Sequence, residues 1–289
     1  MHSTTSAFSY LLPWDVYPAV VLFCVILGVV YVRGWLQCRQ TLQPVGYAPL
    51  FAFVVGLLLV YAVMHTYVDY LSQHMLWIHR VQHLVLHHLG PFLMLLGMPW
   101  KVLPAGLPVR LKGSLLGRVW HSPLLRGLYR VLQNPVVAPV LFVGLIYFWL
   151  VPDIHFGAML SITRYQVMNW SMLLDGLLFW WLILDPRPEH AVGRLGYGGR
   201  IVILSLIVPP QIIIGAHIAL ARESLYPVYN VCGRAWPLSP LVDQQIAGLV
   251  TWIPASMMSV VAVLIVLGRW MRERDRVTAA APLPGGVLR

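Results

Sequence analysis

Seven stretches of this chain are apolar for the length that a helix needs to cross a bilayer. They run roughly over 17–36, 47–67, 73–97, 136–152, 165–184, 201–221 and 246–268. About 20 residues rising about 1.5 Å each cover the hydrocarbon core. Inside that core the backbone must satisfy its own hydrogen bonds, so such stretches fold as helices. The expected architecture is all-α, a polytopic transmembrane bundle of about seven spans. Residues 1–289 form one integral-membrane domain, because no long stretch has the composition of a separate soluble unit. Only 10% of residues are charged, against about a quarter in soluble domains. The first 16 residues lack a basic segment followed by a cleavage site, so the first span is expected to be retained.

Lys and Arg set the orientation. The loops after the first, third and fifth spans and the C-terminal tail hold sixteen of them, including the basic loop 98–135. The alternate loops hold three, and Arg80 lies within the third span. Basic loops stay on the cytoplasmic side, which predicts N-out, C-in. The same distribution excludes nucleic acid as the partner behind the net charge of +10. Membrane lipid is the expected surroundings. Loop 98–135 mixes Leu and Val with Lys and Arg. It reads either as an amphipathic helix on the inner leaflet or as an ordinary basic loop. Residues 277–289 are expected to be a disordered tail. Cys24, Cys38 and Cys232 form no paired motif and are not expected to bond to one another.

Ionisable residues inside a span are costly and face the bundle interior or a cavity. Five histidines, His74, His79, His83, His87 and His88, lie in or beside the third span. His79, His83 and His87 share one helix face, about 6 Å apart per step. On the predicted topology His65, His155 and His217 fall near the same outer face. Met168 and Met172 are spaced i, i+4 in the outer half of the fifth span, with Asn169 and Asp175 in the same span. Asp175 reads as a proton group or as the partner of Arg80. Imidazole suits copper, zinc, iron and nickel, and thioether selects Cu(I). The candidate metal ligands are therefore His79, His83, His74, His65, His155, His217, Met168 and Met172, with copper as Cu(I) the metal indicated. Haem held between histidines of two spans, such as His79 or His83 and His217, is the alternative. His87, His88, His121 and His190 read as interhelical hydrogen-bond partners. There is no phosphate loop, no HExxH motif and no nucleophile elbow, so no enzyme class is indicated. Pro209-Pro210 interrupt the sixth span, either as a binding-site break or as a bundle-shaping kink.

Two segments carry a resemblance. One is His79-Arg-Val-Gln-His83 with Gly90-Pro91 and Gly97-Met-Pro99. The other is Leu225-Tyr-Pro-Val-Tyr229 with Asp243-Gln244-Gln-Ile-Ala-Gly248 and Trp252-Ile-Pro254. Together, over roughly 45–270, they resemble the CtaG family of integral-membrane cytochrome c oxidase assembly factors. The resemblance implies a non-enzymatic helper, located in a bacterial inner membrane, that matures a haem-copper oxidase at the copper step. Its partners would be cytochrome c oxidase subunits. It carries His79, His83, Asp243, Gln244 and Trp252 over as functional positions. Many relatives open the fifth span with a second histidine-rich stretch, where this chain has Tyr165-Gln-Val-Met168-Asn169. The alternative reading is a membrane oxidoreductase of the cytochrome b kind.

Overall fold

A computed structural model of the chain describes residues 12–13, 15–41, 44–108, 122–187 and 194–280. His121, His190, the middle of the basic loop and tail residues 281–289 lie outside them. Among the described residues five helices are long and apolar enough to cross a membrane alone, or up to seven if each of two bent pairs is counted as one span. No strand occurs among the described residues.

The first two spans are α1 (Pro18–Cys38) and α2 (Tyr47–His65). A short α3 (Tyr67–His74) leads into the third span, which is built in pieces: α4 (Leu76–Leu84), a π-turn (Val85–Leu89) and α5 (Gly90–Leu96). After Met98 the chain turns by 72° into α6 (Pro99–Gly106). Met98 takes a left-handed conformation, φ 55°, which disfavours a residue with a side chain. The following proline also pushes Met98 away from right-handed helix. The bend is held from outside. The Tyr31 hydroxyl donates to the Gly97 carbonyl at 2.5 Å, and its ring stacks on Phe53. At Gly97 there is no room for a side chain, since a Cβ would sit 2.6 Å from that of Phe53. This is the physical content of the Gly-x-Pro motif.

Folded back by the bend, α6 lies along α1. The contact is backbone on backbone at Gly34 and Gly106, the close approach that small residues permit between membrane helices. Next come α7 (Pro123–Leu132) and α8 (Val137–Leu150), bent by 73° from each other. No residue of α7 is buried. Leu124, Leu125, Leu128 and Val131 form one exposed apolar stripe. An amphipathic helix set across the direction of the next span is the geometry of one lying on the membrane surface. The described parts of the basic loop are thus helical on both sides of residues 109–121.

The remaining elements are α9 (Pro152–Met159), α10 (Ile162–Leu184), α11 (Tyr197–Leu206), α12 (Val208–Leu220), α13 (Val228–Val231) and α14 (Pro240–Ala280). α11 and α12 together make one span. The Pro209-Pro210 break is a kink within it, with Tyr147 of α8 donating to the Pro210 carbonyl. α14 has 41 residues, about 60 Å of helix, so it runs well beyond the bilayer. Its inner end is tied down by an Arg269 bond to the Leu184 carbonyl and by a Tyr197 bond to Glu273. Residues 277–280 therefore belong to a helix, and the rest of the tail lies outside the described residues.

Replacing Gly106 by Ala tests the α1–α6 contact. The added Cβ would sit 1.9 Å from the Val30 carbonyl oxygen, and overpacking of this kind costs about 1–3 kcal/mol. The variant is expected to lose several degrees of melting temperature in detergent, followed by size-exclusion fluorescence.

Candidate functional site

Helix α4 begins inside the protein, and its first-turn N–H groups need acceptors there. They find Asp243, on the first turn of α14. Its carboxylate accepts from Leu76 N at 3.1 Å and Trp77 N at 2.9 Å, while Arg234 donates to the same group. Asp243 is fully buried. A negative group at a helix N-terminus satisfies free donors and suits the helix dipole. Its neighbour Gln244 accepts from Leu225 N and donates to the Ile218 and Glu223 carbonyls, fastening the loop after α12. Gly248 lets α12 approach to backbone contact at Gly215, and Trp252 covers Gly215. The Asp-Gln-x-x-x-Gly-x-x-x-Trp motif thus holds the histidine helix in place and does not itself line the site.

Clamped in this way, α4 carries His79 about 4–5 Å and His83 about 10 Å below its first residue. Both are fully buried. Their rings stand 4.3 Å apart, and the His155 ring of α9 meets His79 edge-on at 5.0 Å. The rings of Tyr165 and Tyr229 complete the wall at 6.1 and 6.5 Å from His79. His155 is fully satisfied. Its Nδ1 donates to the Trp149 carbonyl, so Nε2 is the acceptor for the Tyr229 hydroxyl at 2.9 Å. His79 is the opposite case. The Ser72 backbone lies beside it, yet neither ring nitrogen makes a hydrogen bond. His83 has Arg80 Nη1 3.3 Å from Nδ1, and its Nε2 has no partner. A guanidinium only donates. Nδ1 is therefore the acceptor, and Nε2 carries the proton. Asn169 lies beside His83 and Tyr165, with its Oδ1 unpaired.

Next to this pocket sits a second network that sequence reading missed. Asp69 of α3 is 1% exposed. Its Oδ1 lies 2.8 Å from the Tyr165 hydroxyl and 2.9 Å from Gln82 Nε2, and Gln73 donates to Oδ2. The Tyr165 oxygen also lies 2.7 Å from Ser72 Oγ and 3.1 Å from Gln82 Oε1. Ser72 itself donates to the Asp69 carbonyl. One tyrosine proton cannot serve Ser72, Gln82 and Asp69 together; a proton on Asp69 supplies the Asp69 contact and leaves the tyrosine proton for Ser72 or Gln82. Asp69 lies outside the spans, and burial raises its carboxyl from 3.8 to about 7, against the lowering effect of its Tyr165, Gln82 and Gln73 donors. An acidic residue just before a histidine span, in a chain with only 10 Asp and Glu, was the available signal.

The other expected ligands lie elsewhere. His65 is buried, but its Nδ1 accepts from Tyr17 N at 3.4 Å and its ring packs on Tyr61. His74 is half-buried, bonded through Nδ1 to the Tyr70 carbonyl. His217 is exposed on the outer surface of α12, so a pairing with His79 or His83 is not formed. Met168 and Met172 are both buried, and Met172 lines a cavity beside His83. Asp175 pairs with His87 at 2.9 Å in place of Arg80. Among the described residues no three His, Cys, Asp or Glu already surround one metal position. The site is a pair of facing imidazoles with a third, His155, held off by Tyr229.

Comparison with known proteins gives a family match. The family described as cytochrome c oxidase caa3 assembly factor (Caa3_CtaG) matches residues 29–273. An uncharacterized protein of Mycobacterium leprae is 26% identical over 267 residues, 88% of this chain and 38% of that one. Uncharacterized proteins of Mycobacterium bovis and Mycobacterium tuberculosis are each 27% identical over 269 residues, 88% of this chain and 39% of theirs. The chain spans about two fifths of the length of these curated relatives. No solved structure matches it.

Two measurements check the geometry. Asp243→Ala leaves the α4 donors and Arg234 without their acceptor, and is expected to cost about 1–3 kcal/mol. Asp243→Asn, which keeps an acceptor oxygen, should cost less in the same thermal melts. Asp69 should make stability fall with rising pH. Folding raises its pKa, so the folded state holds the proton more tightly than the unfolded chain does. The stabilisation is full below 3.8 and is lost as pH rises through about 7. Asp69→Asn should flatten this part of the profile of melting temperature against pH.

Proposed function

The chain belongs to the cytochrome c oxidase caa3 assembly factor family, and on that premise we propose that it holds copper for an oxidase subunit at the outer face of a bacterial inner membrane. The observation that carries the reading is the facing His79–His83 pair with its unpaired nitrogens. A buried polar atom without a partner costs about 1–3 kcal/mol, and His155 close by shows how a purely structural imidazole in this fold is satisfied. Imidazole is a good ligand for copper, which here is cargo and not a resident cofactor. His79, with neither nitrogen hydrogen-bonded, offers a lone pair on whichever nitrogen is unprotonated. His83 offers one once Arg80 releases Nδ1. His155 becomes a third donor if Tyr229 lets go of Nε2. Such a set binds through movement and suits an ion that must be passed on, unlike a closed structural cage.

The outer side is supported by the charge distribution, since the loops adjoining α4, α9 and α13 are poor in Lys and Arg. No nucleophile or acid–base pair is called for, and the role is that of a non-enzymatic chaperone. The haem reading loses its second ligand with His217 turned outward, and rings 4.3 Å apart leave no room for a porphyrin between His79 and His83.

Metal content tests the proposal. Detergent-purified protein from cells grown with copper and a haem precursor is expected to carry copper near one per chain by mass spectrometry, and His79→Ala/His83→Ala to carry far less. A deletion strain should lose oxidase activity and regain it with the wild-type chain. Iron in place of copper would make this a haem protein. Neither metal, with the oxidase still dependent on the chain, would make it a scaffold for subunits.

A further inference from the structure

The π-turn Val85–Leu89 carries His87 and His88 on consecutive residues. On an α-helix, neighbours diverge by about 100°. Here both imidazoles border one small cavity, with ring centroids 5.0 Å apart. The π-turn is fixed from across the bundle. Trp180 Nε1 donates to the His87 carbonyl, and a Cβ at Gly176 would sit 2.5 Å from that oxygen. π-turns of this kind recur at functional sites because they re-aim side chains.

The cavity is enclosed by His83, His87, His88, Arg80, Met172 and Thr251 among others, and measures about 10 Å³. That is room for about one water-sized guest. His87 is 0% and His88 3% exposed. Neither nitrogen of His88 has a partner, and Nδ1 of His87 has none. The other nitrogen of His87, Nε2, lies 2.9 Å from the Asp175 carboxylate. A carboxylate at one ring nitrogen holds the proton there and leaves a lone pair on the other. This is the arrangement found behind metal-bound histidines. Met172 brings a thioether, the donor that discriminates for soft ions.

We propose that this cavity is a second cation station, taking a soft monovalent ion such as Cu(I) on His88, on Nδ1 of His87 and on Met172. Asp175 acts as a positioning residue through His87. The identity of the ion rests on the copper reading of the outer pair, while the donor set stands on its own. His83 borders both places and links them along one helix face. The Arg80 guanidinium also borders the cavity and opposes a cation, and Asp175 offsets it, so the ion is held loosely.

The test is an anaerobic titration of the detergent-purified full chain with Cu(I) against a chromophoric chelator, followed by copper-edge X-ray absorption. His79→Ala is used for the outer site, because His83 serves both. Wild type is expected to bind a second equivalent with a sulfur scatterer. His79→Ala should keep one equivalent together with that sulfur signal. His88→Asn should lose the sulfur-containing equivalent. Met172→Leu, close to it in volume, should lose the sulfur signal and weaken the inner affinity at least about tenfold. If His79→Ala abolishes all binding, or if His88→Asn and Met172→Leu both match wild type, the inner station is overturned and the outer one stands. If His79→Ala changes nothing while His88→Asn removes the only ion, the outer site fails and the inner one stands. No binding in any variant overturns both.

Discussion

The carboxylate of Asp243 at the N-terminus of α4 is the interaction on which the rest of the molecule turns. A helix that starts within a membrane bundle exposes backbone N–H groups where no water can serve them. By capping Leu76 and Trp77 from the far end of the sequence, Asp243 allows the chain to break at Met75 and restart. That restart sets the rotation of α4, and so decides that His79 and His83 point inward. The cap also joins α14 to α4, while Gln244 joins α14 to the loop beneath which His155 and Tyr229 meet. One short motif thus positions three elements around the histidines.

Against this background of satisfied groups, the unsatisfied ones stand out. Asp243, Gln244, Gln82, Asp69, Tyr165 and His155 all have their bonding capacity used by protein. Among the described residues, the unpartnered buried side-chain atoms include those of His79, His83, His87, His88 and the adjoining Arg80 and Asn169, and others lie on Gln166, Arg194, Arg200, Gln211 and Ser256. Each costs about 1–3 kcal/mol, and the four histidines among them all lie on the third span. A bundle selected for stability alone would place leucine there. The concentration of unspent donors and acceptors is what makes this span a site.

Much of this was legible in the sequence because bilayer physics writes long, coarse signals. Span positions follow from apolar length, and the His79–His83 pairing follows from helical spacing. What was not legible came from long-range closure. His155 joins the pair only because α9 folds back over α4, whereas His65, His74 and His217 sit at similar predicted depths and are turned elsewhere. Depth along a span can be counted, but the direction of a side chain around the bundle cannot. The π-turn is likewise invisible to a pattern with period 3.6; it sets His87, which does bond across to Asp175, and His88, whose nitrogens have no partner, at one small cavity. Asp243 and Trp252 read as functional positions, yet their partners show that they act on architecture.

Arg80 gives the last step. It lies between His79 and His83 in sequence, within the span, and its guanidinium sits 3.3 Å from His83 Nδ1. A guanidinium cannot give up its charge, so it competes with any metal in two ways, by occupying a ligand nitrogen and by repelling a cation. In a storage site this would be a defect. In a site that must hand its ion on, it is the element that keeps affinity from growing with every added imidazole. The permanent charge would oppose a cation at either proposed place, because Arg80 also borders the cavity at His87 and His88. On the copper reading proposed above, the position of Arg80 fits transfer better than storage.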